Sequence, residues 1–392
     1  AVAIGHYIPF YYYFKMIKKD KLLFLLKRYV EIILSALLFY SGFLILYVKI
    51  ILRKQIPILY YHEIGNCKDF FSDIAVKPEN FKKQMKYVSR WYNAVSIDDL
   101  ADYMEGKREL SSCPIVITFD GGYIGNYKNA YPILKKYNIP ATVYPVTNCI
   151  EKNELPWTMK LHYIIKESNY NSLEMTIADQ KIEFSLKSLN EKLSSIREII
   201  NFLYNILPEE RDKFIQIIAC KAGIDLNKIP NNLLLSWDYI EKMNKENLVN
   251  FGSHTCTHPM LLKMPTDVII HEIVKSKKDI ESKIGQRLTS FCYPDGYFSE
   301  KLKVVVRNSG YRTAVSTIYG LNTKETSPYE LRRIEVGNQP LCVFAMNIAG
   351  ILGRIQLFKK KFINCFGLLD NLASSKYKRH KYKAKQNQNE SI

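Results

Sequence analysis

No two cysteines of this chain stand in C-x-x-C spacing. The eight, Cys67, Cys113, Cys149, Cys220, Cys256, Cys292, Cys342 and Cys365, are spread about evenly. That excludes the paired-thiol signatures of zinc ribbons and thioredoxin-like redox sites and leaves small core or surface residues as their default role. So many separated thiols lean towards a reducing compartment. No internal repeat period is present, which argues against a solenoid or propeller. Acidic residues are the minority: 38 Asp and Glu face 56 Lys and Arg, a net charge of +18 over 392 residues. The surplus favours anionic surroundings. Much of it lies at the two ends, in Lys15, Lys18, Lys19, Lys21, Lys27 and Arg28, then in Lys359, Lys360, Lys361, Lys376, Lys378, Arg379, Lys381, Lys383 and Lys385. A nucleic-acid groove would be built into the folded middle with base-reading motifs, and none is found. The expected partner of this charge is therefore an anionic membrane surface and not nucleic acid.

Long apolar runs are scarce as well. The main one is the 17 uncharged residues between Glu31 and Lys49, the short limit for a spanning helix. It has no A-x-A cleavage site, which disfavours a removable signal peptide. Two readings stand, a spanning anchor and a helix lying in the interface, because flanking bases suit both. The bases before the run slightly outnumber Lys49, Arg53 and Lys54 after it, which tips the N-terminus towards the cytoplasm. Residues 1–15 read as sequence upstream of a natural start at Met16.

From residue 56 the chain alternates short apolar runs with amphipathic stretches, the pattern of a parallel β/α architecture. Strands are predicted at 56–61, 115–119, 141–144, 248–251, 290–293, 312–316 and 331–336, and helices at 78–91, 126–137 and 267–284. Residues 151–230 break the rhythm and read as a mostly helical insertion. The division is thus a basic, hydrophobic, membrane-associating segment 1–55, a barrel domain 56–337 carrying that insertion, and a C-terminal part 338–392. The last part begins as an amphipathic helix and ends in a basic tail, expected to be disordered from Ser374.

In a parallel barrel, chemistry sits at the carboxyl ends of the strands. Four predicted strands end in a functional group: His62, Asp120, His254 and Asp295. The run His254-Thr255-Cys256-Thr257-His258 adds a second signal. A helix starting near Thr255 would place the two imidazoles one turn apart on one face, suited to a divalent metal, with Cys256 pointing away. A plain polar turn is the bland alternative.

Seven blocks together resemble one family. They are Ile-Leu-Tyr-Tyr-His-Glu-Ile-Gly (58–65), Thr-Phe-Asp-Gly-Gly-Tyr (118–123), Asn-Ala-Tyr-Pro-Ile-Leu-Lys-Lys-Tyr-Asn-Ile-Pro-Ala-Thr-Val-Tyr (129–144), Ser-Trp-Asp (236–238), Gly-Ser-His-Thr-Cys-Thr-His-Pro (252–259), Phe-Cys-Tyr-Pro-Asp-Gly (291–296) and Gly-Tyr-Arg-Thr-Ala (310–314). This order is similar to the polysaccharide deacetylase family, the NodB-homology or carbohydrate esterase 4 group, over residues 56–337. The resemblance implies a distorted (β/α) barrel, here with a helical insertion and an N-terminal hydrophobic helix. It also implies metal-dependent removal of acetyl groups from an N-acetylhexosamine-containing glycan at the cell envelope. His254, His258 and Asp120 would hold the metal, expected to be zinc. Asp120 would be the base, and the backbone N–H of Asp295 would face the oxyanion. His62 is the candidate acid or substrate contact, with a structural hydrogen-bonded role as its alternative. An envelope substrate points outside the cell and separated thiols point inside, so the side of the membrane stays open.

Three departures from the family pattern matter. Its second consecutive aspartate, a metal ligand, is Gly121 here. The arginine of its third motif has no counterpart in residues 291–296, so no arginine is expected to orient the base. The Leu-x-His motif is absent, and the last strand reads Glu330-Leu331-Arg332-Arg333-Ile334-Glu335-Val336. Three readings follow: Asp120 completes a two-His, one-carboxylate site; the site works without metal; or catalysis is lost and the barrel binds glycan or serves assembly. The glycine pair also suits a tight turn with positive φ. Trp157 and Trp237 are read as packing before sugar stacking. His162, His271 and His380 are read as surface residues.

Overall fold

The computed structural model describes residues 18–65, 74–177, 180–230 and 232–353. Residues 1–15, Cys67, Cys365, His380 and the basic tail from Ser374 lie outside the described residues. Among the described residues the wall of the barrel is an eight-stranded parallel sheet, seven strands of which form its continuous path, β1 (Ile58–Tyr61), β2 (Pro114–Gly121), β3 (Ala141–Pro145), β4 (Val249–Phe251), β5 (Ser290–Cys292), β6 (Thr313–Tyr319) and β7 (Leu331–Glu335), while the two-residue strand Asn93–Ala94 pairs with the start of β2. The order β5-β6-β7-β1-β2-β3-β4 follows the chain around the wall. A parallel bridge between Ser253 and Phe291 links the two edges, so the barrel nearly closes. All eight residues of β2 are buried, as a strand covered on both faces requires, and its Ile, Val and Phe run follows from that. This strand outlasts its predicted end by two residues: Asp120 pairs with Tyr144 and Gly121 with Pro145, inside the sheet.

The helix Pro78–Trp91 buries Phe81, Met85 and Val88 at helical spacing and carries proline in its first turn. The helix expected at 126–137 is instead a π turn, Asn126–Ala130, running into the α-helix Tyr131–Tyr137. In that turn the Asn126 and Asn129 side chains donate to the carbonyls of His62 (2.7 Å) and Ile64 (2.6 Å). These bonds tie the helix to the segment after β1, and π turns of this sort concentrate at functional sites.

Within residues 151–230 a unit with its own core packs the helices Trp157–Glu167, Leu189–Leu203 and Pro208–Lys221 around Leu161, Ile164, Phe184, Ile196 and Ile199. It also contains an antiparallel hairpin, Ser172–Ile177 with Gln180–Ser185, which the mostly helical expectation passed over. The signal was present: Leu173 and Met175 are buried while Glu174 and Thr176 are exposed, a period of two.

At the N-terminus, α1 (Lys18–Tyr40) and α2 (Phe43–Ile50) divide the uncharged run between two helices. They meet at a 74° bend, where Gly42 takes φ 76°. Among the described residues, no single helix is long and apolar enough to cross a membrane. Leu44 and Val48 are buried, and α1 packs on the helix Leu341–Ile348. Ile33, Leu37, Tyr40, Leu46 and Ile50 remain exposed.

Candidate active site

Asp120 sits at the carboxyl end of β2, only 3 % exposed. A buried carboxylate needs a partner, and its partner is an arginine that the sequence reading did not expect. Arg333, from β7, meets both oxygens at 2.7 Å in a fork-to-fork pair. Its Nε donates to the Ser316 carbonyl (2.8 Å) and its Nη1 to Thr118 Oγ1 (3.2 Å), and the guanidinium lies 4.4 Å from the centre of the Tyr60 ring. The expectation that no arginine orients this acid is thereby corrected: the arginine comes from the last strand instead of the loop after β5. The alternation of β7 carried the signal, since Leu331, Arg333 and Glu335 share one face of a strand whose Arg332 is exposed. Burial by itself would raise the Asp120 pKa, but the charge and hydrogen bonds of Arg333 outweigh it and hold the carboxyl well below the usual range.

Gly121 has φ +89°, and a Cβ there would lie 2.6 Å from the Tyr123 ring. The position where the family pattern has a second aspartate is therefore closed twice, by a left-handed backbone and by an aromatic ring.

The segment His254–His258 is not a helix, contrary to the expectation from its spacing. Thr255 (φ 66°) and His258 (φ 55°) are left-handed, each at a cost of order 1–3 kcal/mol that surrounding contacts must offset. Glu272 provides them: its carboxylate accepts from the backbone of Cys256 (2.8 Å) and Thr257 (3.0 Å) and from the Thr257 hydroxyl (2.7 Å). Thr255 Oγ1 accepts from the His258 N–H (3.0 Å). Cys256 points away from the site, its thiol on the Glu272 carbonyl. The turn still brings the two imidazoles together, with ring centres 4.7 Å apart at 83°. A turn does what one turn of helix was expected to do, because the acceptor needed to cap it comes from a distant helix.

His254 Nδ1 lies 2.9 Å from the Cys292 carbonyl, which assigns the proton to Nδ1 and leaves Nε2 as a lone pair. Burial, with His258 beside it, lowers its pKa to about 3, so the ring is neutral at ordinary pH. His258 Nδ1 is buried without a hydrogen-bond partner. Burial also lowers His62, whose ring feels Asp120, Arg333, His258 and Asp295. Asp295 (φ 54°) closes the group, its carbonyl accepting from Thr317 Oγ1 (3.0 Å) and its carboxylate from the Tyr204 hydroxyl (2.8 Å). The five residues picked from the sequence thus gather at one end of the barrel. Arg333, Glu272 and Tyr204 were not picked.

A sequence profile described as polysaccharide deacetylase matches residues 107–314, just over half of the chain. The chain belongs to the polysaccharide deacetylase family. YxkH of Bacillus subtilis, itself named a polysaccharide deacetylase, is 21% identical over 283 residues, covering 72% of this chain and 71% of that protein. The poly-beta-1,6-N-acetyl-D-glucosamine N-deacetylase of Staphylococcus epidermidis is 22% identical over 232 residues, 50% of this chain and 79% of that enzyme. Among solved structures, the Streptococcus pyogenes deacetylase PplD in complex with acetate superposes with a TM-score of 0.52 at 19% identity, covering 76% of this chain and 99% of PplD. IcaB from Ammonifex degensii gives 0.50 at 16%, over 76% and 97%. These likenesses establish the deacetylase barrel.

Ligand atoms of Asp120, His254 and Cys292 lie within 4.8 Å of one another, a spacing that suits a metal ion. The donor set of this deacetylase-family chain fits such an ion in part. The neutral His254 Nε2 and the unpartnered His258 Nδ1 are suitable donors. Asp120 keeps a second lone pair on each oxygen beyond the two that Arg333 engages. Cys292 is the weaker donor, because burial raises its thiol pKa far above the ordinary value. The guanidinium, 3.3 Å from the Cys292 sulfur, places a positive charge beside the same cluster and opposes a second cation. Trp157 and Trp237 are both tied to protein groups, donating to the His258 carbonyl (2.9 Å) and to Glu151 (2.7 Å). His162 and His271 lie on helices.

Proposed function

We propose that this chain is a metal-assisted deacetylase that hydrolyses the acetamide of an N-acetylhexosamine-containing glycan, working from a membrane surface at the cell envelope. The observation that carries the reading is the gathering of Asp120, His62, His254, His258 and Asp295 at the carboxyl ends of β1, β2, β4 and β5 in a barrel of this family. The naming of relatives for poly-beta-1,6-N-acetyl-D-glucosamine supports that polymer class as substrate.

Amide hydrolysis needs an activated water, stabilisation of the oxyanion and an acid for the departing amine. Asp120, kept ionised by Arg333, orients the water and accepts its proton. His62, a neutral imidazole at rest within electrostatic reach of Asp120 and His258, takes up the proton that Asp120 removed from the water and passes it on to the departing amine, so that acid and base both return to their starting states. The backbone N–H of Asp295 faces the oxyanion. A divalent metal, zinc by its donors, would be held by His254, His258 and Asp120 and would polarise the acetamide carbonyl and acidify the water.

The test is acetate release by the purified chain from chitooligosaccharides and from β-1,6-linked N-acetylglucosamine oligomers, with bound metal measured alongside. His254→Ala and Asp120→Asn should each lower release at least about 100-fold; release unchanged in both would show that the site lies elsewhere. A second reading, a glycan-binding or assembly protein without catalysis, draws support from Gly121 and the Tyr123 ring above it. Binding of the oligomers with no release under any metal would select it.

A further inference from the structure

The unit inserted between β3 and β4 reaches back to the site through three side chains. Trp157 Nε1 donates to the His258 carbonyl (2.9 Å) and Arg211 Nη2 to the neighbouring Thr257 carbonyl (3.1 Å). The Arg211 guanidinium stacks 4.8 Å from the Trp157 ring centre, and Trp157 meets Tyr204 edge-on at 5.6 Å. The Tyr204 hydroxyl donates to Asp295 Oδ2 at 2.8 Å. One connected stack therefore grips the loops that follow β4 and β5, and each loop contains a left-handed residue other than glycine, His258 and Asp295.

Arg211 needs an explanation of its own. It is 2 % exposed, its Nε has no hydrogen-bond partner, and the carboxylate that approaches it, Asp212, stays at 3.9 Å and is itself 58% exposed. A buried cation with so loose a counter-charge does little for stability. What it holds firmly is a carbonyl beside His258 and the ring that holds the next one.

We propose that the insertion is a working part of the active centre, in which Tyr204 and the Arg211–Trp157 stack are positioning residues that set the Asp295 carboxylate and the His258 imidazole. Tyr204 engages one oxygen of Asp295 and leaves the other for a glycan hydroxyl. Trp157 and Arg211 fix the backbone from which His258 projects. The proposal deepens the deacetylase reading and rests on it for its kinetic consequences.

The experiment compares full-length Tyr204→Phe, Asp295→Asn, the double variant and Arg211→Met. Phenylalanine keeps the ring against Trp157, and methionine keeps volume while removing the buried charge. Tyr204→Phe should raise KM for the oligomer about tenfold with kcat little changed, and the double variant should be no worse than Asp295→Asn. Arg211→Met should lower kcat about tenfold at an unchanged melting temperature. Selective 15N labelling of histidine gives a readout without substrate: the ring resonances of His258 should move in Arg211→Met. If the wild type releases acetate and Tyr204→Phe and Arg211→Met both keep wild-type KM, kcat and His258 resonances, the positioning role is overturned while the enzyme reading stands. If the wild type releases none, the enzyme reading falls, and unmoved His258 resonances in Arg211→Met then overturn the positioning role separately.

Discussion

Asp120 and Arg333 show how one residue can be read correctly and its partner missed. The acid stands out because it ends an apolar strand. The arginine that makes its burial tolerable lies 213 residues later; the alternation of β7 turns Arg333 and not Arg332 inward, but does not say which acid it meets. Removing one member leaves an uncompensated buried charge, so Arg333→Met alone should cost about 3–5 kcal/mol, and Asp120→Asn a similar amount. The double variant Asp120→Asn/Arg333→Met should recover most of the stability without activity. Urea midpoints decide this, and single variants within about 1 kcal/mol of wild type would refute the argument. Glu63, one position past His62, is a second buried acid, with Oε2 accepting from the Gly125 N–H (3.2 Å). Burial raises its pKa from 4.5 to about 7. The folded state holds this proton more tightly than the unfolded chain, so its stability contribution is complete below pH 4.5 and is lost as pH rises towards 7. Glu63→Gln keeps the acceptor, and should therefore stabilise the protein by roughly 1–3 kcal/mol at pH 8 and hardly at all at pH 4.5. Equal shifts at both pH values would sink this account.

At the scale of elements, the seven barrel strands were legible because parallel strands buried on both faces must be apolar runs, and the chain has few other such runs. Short pieces escaped. The strand Asn93–Ala94, the helix Ile97–Met104 and the hairpin of the insertion gain most of their stability from what they pack against. The turn of residues 254–258 was misread because i, i+4 spacing fits a helix and a turn equally well, and Glu272 decides between them. The turn after β2 allows a direct test. Gly121→Asp, which would restore the family's aspartate pair, should destabilise by about 1–3 kcal/mol, since it combines φ +89° with a clash against Tyr123. Adding Tyr123→Ala should relieve the clash and allow tighter metal binding. A Gly121→Asp protein of wild-type stability would show that the ring does not guard this position.

Over the whole molecule, the carboxyl end of α2 and the residues that follow it sit at the end of the barrel away from the site. The Cys113 thiol, just before β2, is 3.7 Å from the Val48 carbonyl, and Arg53 reaches Ser112. Asp120 lies seven residues along the same strand, about 23 Å away at 3.3 Å per residue. Lys49 and Arg53, which flank the exposed Ile50 and Ile51, line a cleft of about 400 Å³ together with Arg90 and Trp91. If this end meets a bilayer, the mouth of the barrel faces away from it, towards polymer. The full chain should co-sediment with anionic vesicles, more weakly as salt rises. Leu46→Asp and Ile50→Asp should each reduce binding severalfold. Vesicle binding that ignores both substitutions would remove this surface from the account.

The sequence by itself determined the barrel, the family and the five polar residues at its mouth, because strand patterning and short motifs are local properties. The tertiary structure decided the partners. Arg333 reaches Asp120 across the sheet because β7 and β2 flank β1; Tyr123 occupies the space above Gly121; and Glu272, Trp157, Arg211 and Tyr204 come from a helix and an inserted unit to fix the loops. Apart from Tyr123, only two positions from Gly121, these contacts join residues from 15 to 213 positions apart. They exist only once the chain has closed, when burial removes the water that would otherwise satisfy each charge and carbonyl.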